Sequence, residues 1–392
     1  MTDTARAIAM IRRLVAFDTT SALSNLALIE DVKTYLAGHG IDSRLTFDEA
    51  HGKANLYATI GPKDKGGIVL SGHTDVVPVE GQIWATDPFA VVEKDGLLYG
   101  RGTSDMKSFI AIALAFVPEF LAKPLKTPIH FAFSYDEEVG CIGVRRLLDI
   151  LEKQPVKPAA CIVGEPTSMK PVVAHKGKKS TRCHVHGLEC HSSLAPTGVN
   201  AVEFAAEIVT YLRGMAQRKR AEGPFDPGFD PPHTTVHTGL MHGGTALNIV
   251  PKDCYFDFEF RHLPEDDPEE LLGEVRDFVE TKLLPEMQAI DPATGVRFEP
   301  ISQIPGLDMK DDDPLTQLVM ALSGANSTGK VAFGTEAGLF QQVGIPTIVC
   351  GPGDIAQAHQ PDEYLTLAQF EAGAAFLGAV IDDLCTGGPA HG

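Results

Sequence analysis

Four runs in this chain, GIVLSGH, PIHFAFS, ACIVGEP and PTIVCGPG, are apolar almost throughout instead of alternating with polar residues. A strand of that kind has no face to offer water, so it belongs in a sheet covered on both sides by helices. Helical stretches such as SFIAIALAFVPEFLA and VRRLLDILEK stand between the runs. The alternation predicts an α/β domain with a mostly parallel central sheet flanked by helices. The stretch MTDTARAIAMIRRLVAF carries apolar spacing through Ile8, Ile11, Leu14 and Val15 and reads as a first helix, without the apolar core and cleavage site of a signal peptide.

The pattern changes between about Gly177 and Ile304. There the order is strand (STRCHVHG), helix (NAVEFAAEIVTYLRGM), two strands (TTVHTGLMHG, CYFDFEFRHL), helix (PEELLGEVRDFVETKLL) and strand (VRFEPIS). A βαββαβ order suits a small ferredoxin-like sandwich inserted into the first domain. EGPFDPGFDPPH interrupts it as a surface loop, and PGLDMKDDDP marks the return. At 392 residues the chain is too long for one ordinary core. The expected division is 1–177 with 305–392 as one domain and 178–304 as the other.

Composition removes several functions. Lys and Arg number 33 against 52 Asp and Glu, a net charge of −19 that repels a nucleic-acid backbone. No segment approaches the roughly 20 apolar residues of a membrane span. The 7 cysteines are widely spaced with no Cys-x-x-Cys pair, which points to a reducing, cytoplasmic setting.

What remains is a set of titratable residues at strand ends. In GIVLSGHTDVVP, His73 and Asp75 stand two apart and point the same way. The histidine can then ligate a metal while the aspartate behind it accepts the other ring N–H. Asp105 in LYGRGTSDMKS precedes a helix and reads equally as an N-cap or as a bridging carboxylate, two roles that compete for the same oxygens. PIHFAFSYDEEVG ends in Glu137 and Glu138, which face opposite sides, so one can ligate while the other stays free to accept a proton. Glu165 in ACIVGEPTS and His359 in GPGDIAQAHQPDEYL sit in turns. Ligand clefts of open α/β sheets lie at the carboxyl ends of the strands, where these donors collect. Imidazole and carboxylate without thiolate suit Zn²⁺, Co²⁺ or Mn²⁺. A pair of divalent ions would be neutralised by Asp105, Glu138, Glu165 and a bridging hydroxide.

The segments GHTDVVP, WATDPF, DGLLYGRGTSDMKS, DEE, GEPTS, HKG, HSS with GVNA, and GPGDIAQAHQPDEYL resemble, in order and over nearly the full length, the two-zinc amidohydrolase and exopeptidase family. That family includes aminoacylases, succinyl-diaminopimelate desuccinylases and acetylornithine deacetylases, and the last are the most similar. The resemblance implies that His73 and Glu165 hold one Zn²⁺, Glu138 and His359 the other, and Asp105 bridges them, with Co²⁺ or Mn²⁺ as substitutes. Glu137 is implied as the general base acting on a water between the metals, and the peptide bond after Asp105 as cis. It further implies that the inserted domain is a lid that dimerises, and that His191 reaches the partner subunit's site to stabilise the oxyanion. Cys190 stands where family members usually have glycine; nothing near it activates the thiol as a nucleophile. Asn248 in GGTALNIVP and Arg261 in FDFEFRHL resemble positions that bind the substrate α-carboxylate, although Arg261 reads equally as a surface residue. Lys178, Thr335 and Glu336 resemble pocket residues, with Glu336 expected to meet a cationic side chain. The implied reaction is hydrolysis of N2-acetyl-L-ornithine to ornithine and acetate. The alternatives are a desuccinylase or broader N-acyl-L-amino-acid amidohydrolase, and a catalytically silent metal-binding protein, against which the presence of Glu137 argues.

Overall fold

The structure, a computed structural model, describes residues 3–387. It forms two compact units: Met1–Ala174 with Leu307–Gly329 and Thr335–Gly392, and His175–Gly306 with Lys330–Gly334. The N-terminal helix runs Asp3–Val15. Among the described residues no helix is long and apolar enough to cross a membrane.

The first unit is built on a mixed sheet in the order Ser43–Phe47, Ala54–Ile60, Ile129–Ser134, Ile68–His73, Ala160–Pro166, Thr347–Gly351, continuing to Val172–His175 and Leu307–Asp308. Its centre is parallel, as the apolar runs require: Ile68–His73 runs parallel to both Ile129–Ser134 and Ala160–Pro166, and Thr347–Gly351 parallel to the latter. Every residue of these four strands is buried. The register sets Ile68 opposite both Ile129 and Ala160, and His73 opposite Ser134. The carboxyl ends of three neighbouring strands therefore finish at one edge.

Against this sheet lies the helix Lys107–Ala115, buried at all nine positions, as an element apolar on every side must be. It comes close because two strand residues lack side chains. A Cβ on Gly72 would meet Ile110 Cγ1 at 2.9 Å and Met106 Cε at 3.0 Å, and one on Gly164 would fall inside the Phe109 ring. The approach brings the start of the helix over the carboxyl edge of the sheet.

The second unit is a four-stranded antiparallel sheet in the order Thr235–Gly243, Asp253–His262, Gly177–His186, Gly295–Ile304. Asp253–His262 shows why it needs helices on one face only: Cys254, Phe256, Phe258, Phe260 and His262 are buried and alternate with exposed or half-buried Asp253, Tyr255, Asp257, Glu259 and Arg261. The inner face packs with residues of the helices Ala201–Glu222 and Pro268–Phe278 in one apolar cluster. On the outer face Arg182 forks onto Asp257 at 2.7 and 2.8 Å.

This unit also takes in Lys330–Gly334, which lies outside the expected 178–304. The reason is the proline-rich segment. It is tied down rather than loose: Lys176 Nζ donates to the carbonyls of Pro231 (2.8 Å) and His233 (2.6 Å), and Lys330 pairs with Asp226 at 2.6 Å. Both ammonium groups approach the Phe229 ring, at 5.9 and 5.5 Å.

The Gly164 contact yields a test. Gly164→Ala forces Phe109 and its helix away from the strand that carries Glu165, and overpacking of this kind costs about 1–3 kcal/mol. A thermal melt equal to wild type would contradict this packing.

Candidate metal centre

The strand register gathers the donors. His73 is the last residue of its strand, Ser134 opposite it ends the next, and the chain turns at Asp136, whose φ of 55° is uncommon for a residue with a side chain. Glu137 and Glu138 follow that turn. Glu165 is the next-to-last residue of the strand on the other side of His73, Ala160–Pro166. Asp105 precedes the buried helix, across a cis peptide bond to Met106, and His359 sits in a loop with a φ of 63°. Left-handed backbone at residues other than glycine concentrates at functional sites.

Two triads result, and they share Asp105. His73 Nε2 lies 2.9 Å from Asp105 Oδ1 and 3.7 Å from Glu165 Oε1. His359 Nε2 lies 3.2 Å from Asp105 Oδ2 and 3.1 Å from Glu138 Oε2. Each carboxylate oxygen of Asp105 thus serves a different triad, the geometry of a bridging ligand. Within each triad all donor atoms lie within 4.8 Å of one another. The His73 side chain is 1% exposed, whereas that of His359 is 49% exposed, so the cluster is deep on one side and open on the other.

The charges show what the cluster fits. Burial, opposed by His73 and reinforced by neighbouring carboxylates, pushes Glu137 and Glu165 well above the usual carboxylate range. Glu138 is raised by burial and by Asp105. Burial would lower His73, yet Glu165 and Asp105 outweigh it and hold the imidazole well above its ordinary value. Asp105 and Glu138 raise His359 to about 10. Burial works against the ionised Asp105, but its contacts with His359 and His73 win and lower it. The cluster draws positive charge, as protons on the rings or as cations between the donors, and cations displace such protons when they bind. Two nitrogens and three carboxylates suit a borderline divalent ion. Cys141, whose thiol donates to Glu137 Oε1 at 3.3 Å, does not compete, because burial and Glu137 push it well above its usual range and keep it protonated.

Several sequence readings need revision. The helix after Asp105 begins at Lys107 with Met106 at its cap and no side-chain cap bond, so the capping alternative for Asp105 falls away. Asp75 does not face His73 with its carboxylate. His73 Nδ1 lies 2.9 Å from the Asp75 main-chain oxygen and 3.7 Å from Oδ1. The Asp75 carboxylate instead accepts the Ser21 hydroxyl (2.8 Å) and the N–H groups of Glu137 (3.1 Å) and Glu138 (3.3 Å). It therefore orients the ring through its carbonyl and anchors the glutamate turn through its side chain.

Thr335 and Glu336 are each 1% exposed. Thr335 Oγ1 accepts the Ala337 N–H, and Glu336 Oε2 faces the Ser71 hydroxyl at 3.4 Å, beneath the strand that ends at His73. Burial pushes Glu336 up to about 7. A buried, partly neutral carboxyl is a poor partner for a cationic side chain.

The remaining residues lie in the second unit. Lys178 and Arg261 are register partners on neighbouring strands and flank Glu259, at 3.7 and 3.0 Å. His191 and Asn248 are exposed on adjoining segments, with the Ser192 N–H donating to the Asn248 carbonyl at 3.0 Å and a bridge between His191 and Ile249. His191 has ordinary extended backbone, and its Nδ1 lies 2.8 Å from Ser193 Oγ. The Cys190 thiol points to the Leu194 carbonyl at 3.4 Å.

Sequence reasoning does not single out Glu363 or Arg101, a fully buried ion pair of 2.7 Å beside the Asp105 loop. The charged residues in AHQPDEYL and YGRGTSD are the available signal, since charge inside otherwise Gly- and Pro-rich turns calls for a partner.

Comparison with known proteins accords with this geometry. The model of the peptidase family M20/M25/M40 matches residues 69–383. An acetylornithine deacetylase of Myxococcus xanthus is 35% identical over 99% of this chain and 100% of its own length. One of Pasteurella multocida is 33% identical over 96% and 98%. The crystal structure of aminopeptidase PepT from Bacillus cereus shares the fold, with a TM-score of 0.73 at 20% identity over 97% of this chain and 98% of its own. This chain, with its paired donor triads at the carboxyl edge of a parallel sheet, belongs to peptidase family M20/M25/M40 and is a metal-dependent hydrolase.

Proposed function

We propose that the chain hydrolyses the amide of an N-acyl-L-amino acid, with N2-acetyl-L-ornithine as its substrate, in a reducing, cytoplasmic setting. The observation that carries the reaction class is the sharing of Asp105 between two donor triads with Glu137 beside them. The acetyl and ornithine parts rest on the names of relatives that match over nearly the full chain.

His73, Glu165 and Asp105 would hold one Zn²⁺, and Asp105, Glu138 and His359 the second, with Co²⁺ or Mn²⁺ as substitutes. Bound there, the ions supply Lewis-acid polarisation of the acyl carbonyl and acidify the attacking water. Glu137 belongs to neither triad and is free to move protons. It takes one from the water and returns it to the leaving amine nitrogen. Asp75 keeps Glu137 in place by holding its N–H. Arg261 and Lys178 offer positive charge to the substrate carboxylate, and Asn248 an amide. Glu336 has no part in this assignment, because burial pushes its carboxyl up to about 7 and leaves it a poor partner for a cationic side chain.

The second unit is the proposed dimerisation element, with His191 contributed to the partner's site as an oxyanion donor. Thr235–Gly243 is an edge strand. Leu240, Met241, Leu247 and Ile249 in and after it are exposed by 41, 40, 102 and 38%, apolar side chains along an open edge that suits a second copy. Light scattering should return twice the chain mass, and a monomer at working concentration would remove the dimer and the role of His191 with it.

Turnover of acetylornithine, succinyl-diaminopimelate and acetylmethionine, each with zinc or cobalt, tests the substrate. Acetylornithine should have the highest kcat/KM, and preference for either of the others would overturn that assignment. Glu137→Gln should lower kcat by about 100- to 10,000-fold while leaving the bound metal unchanged. Retained turnover would exclude Glu137 as the base.

A further inference from the structure

The two triads are not held in the same way. His73 and Glu165 stand on adjacent strands locked by the ladder of a buried sheet. Asp105 and His359 stand in turns far apart in sequence, and the His359 side chain is 49% exposed. Something other than regular structure must fix the 3.2 Å between them.

The structure contains a hydrogen-bonded circuit that joins their loops. Glu363 Oε1 accepts the main-chain N–H groups of Gly102 (3.0 Å), Ser104 (2.9 Å) and Asp105 (3.1 Å). Its Oε2 accepts Arg101 Nη1 at 2.7 Å. Arg101 Nη1 also reaches the Gln360 carbonyl at 3.3 Å, and Nη2 donates to Gln82 Oε1 at 2.6 Å. The guanidinium lies 5.1 Å from the ring of Trp84, the sole tryptophan, whose Nε1–H donates to Gln82 Oε1 at 3.1 Å. Two donors on its oxygen leave the Gln82 amide nitrogen to donate to the His359 carbonyl at 2.9 Å. The path from the Asp105 N–H to the His359 carbonyl is unbroken.

We infer that Glu363, Arg101 and Gln82 form a positioning unit for the two loop-borne donors: Glu363 and Arg101 set Asp105, which both triads share, while Gln82 acts on His359 and thus on one cation site only, the one made by Asp105, Glu138 and His359. The inference rests on the two-cation reading proposed above. A carboxylate that accepts three N–H groups within four residues sets the path of that backbone, and with it the direction of the Asp105 side chain. Glu363 and Arg101 are each 1% exposed, and charged groups that far from water hold each other firmly because neither has a substitute partner. Gln82 carries the constraint to the open side of the cluster. Outer partners of this kind commonly alter metal affinity by about 10- to 100-fold. His73 and Glu165 take their geometry from the sheet and do not need the Gln82 link.

The test uses the full-length protein stripped with chelator and titrated with Co²⁺, followed by visible absorption and calorimetry. Wild type should bind two ions; binding fewer would sink the two-cation reading itself. Gln82→Ala removes a half-buried side chain and cuts only the last link. It should weaken one Co²⁺ step about 10- to 100-fold and leave the other step and its spectrum unchanged. Glu363→Gln keeps the shape but removes the charge that holds the loop of the shared Asp105, and should weaken both steps. If wild type binds two ions and Gln82→Ala binds them unchanged, or loses affinity equally in both steps, the inference is wrong. Gln82→Ala decides the matter even if Glu363→Gln does not fold.

Discussion

Repulsion among carboxylates crowded at one sheet edge is the constraint on which the rest of this structure turns. Asp105 raises the proton affinity of Glu137, Glu138 and Glu165, and Glu336 adds to the effect on Glu137. Left free, such side chains would swing apart into water. They are kept together by features that look unrelated until the charge is considered: parallel strands in fixed register, a fully buried helix seated on two glycines, and an aspartate that spends its carboxylate on main-chain N–H groups of the glutamate turn. The fold withstands electrostatic strain in order to present an attractive place for cations.

Much of this was legible in the chain. Continuous apolar runs predict a parallel, doubly covered sheet, and donors at the ends of those runs follow from the topology of such sheets. His73 and Glu165 were therefore visible as ends of strands. The two-sided reading of Asp105 could not be settled from sequence, because a cap and a bridging ligand demand the same residue in the same place. Only the position of its oxygens between two imidazoles separates them.

What stayed hidden depends on contacts between distant segments. FGTEAG has the composition of an exposed turn, yet Thr335 and Glu336 are buried because that turn starts a helix lodged under the sheet. Local pattern carries no depth. The aim of the Asp75 carboxylate depends on where the chain returns after Ser134, and the purpose of Glu363 on partners at positions 101 to 105. Lys330 likewise joins the second unit through Asp226, a pairing that no window along the sequence contains. Side chains that act through backbone elsewhere are the ones sequence reading misses.

The donors are drawn from five separate stretches, beginning at His73 and ending at His359. No fragment of the chain that stops before the last of these segments holds both triads, however well its sheet has formed. The chain must be made through His359 before the second triad can exist. High loop-closure entropy makes contacts of such range slow to form. Assembly of the second triad is thereby coupled to synthesis through His359, so a chain cut short of that residue carries the donors of the first triad alone.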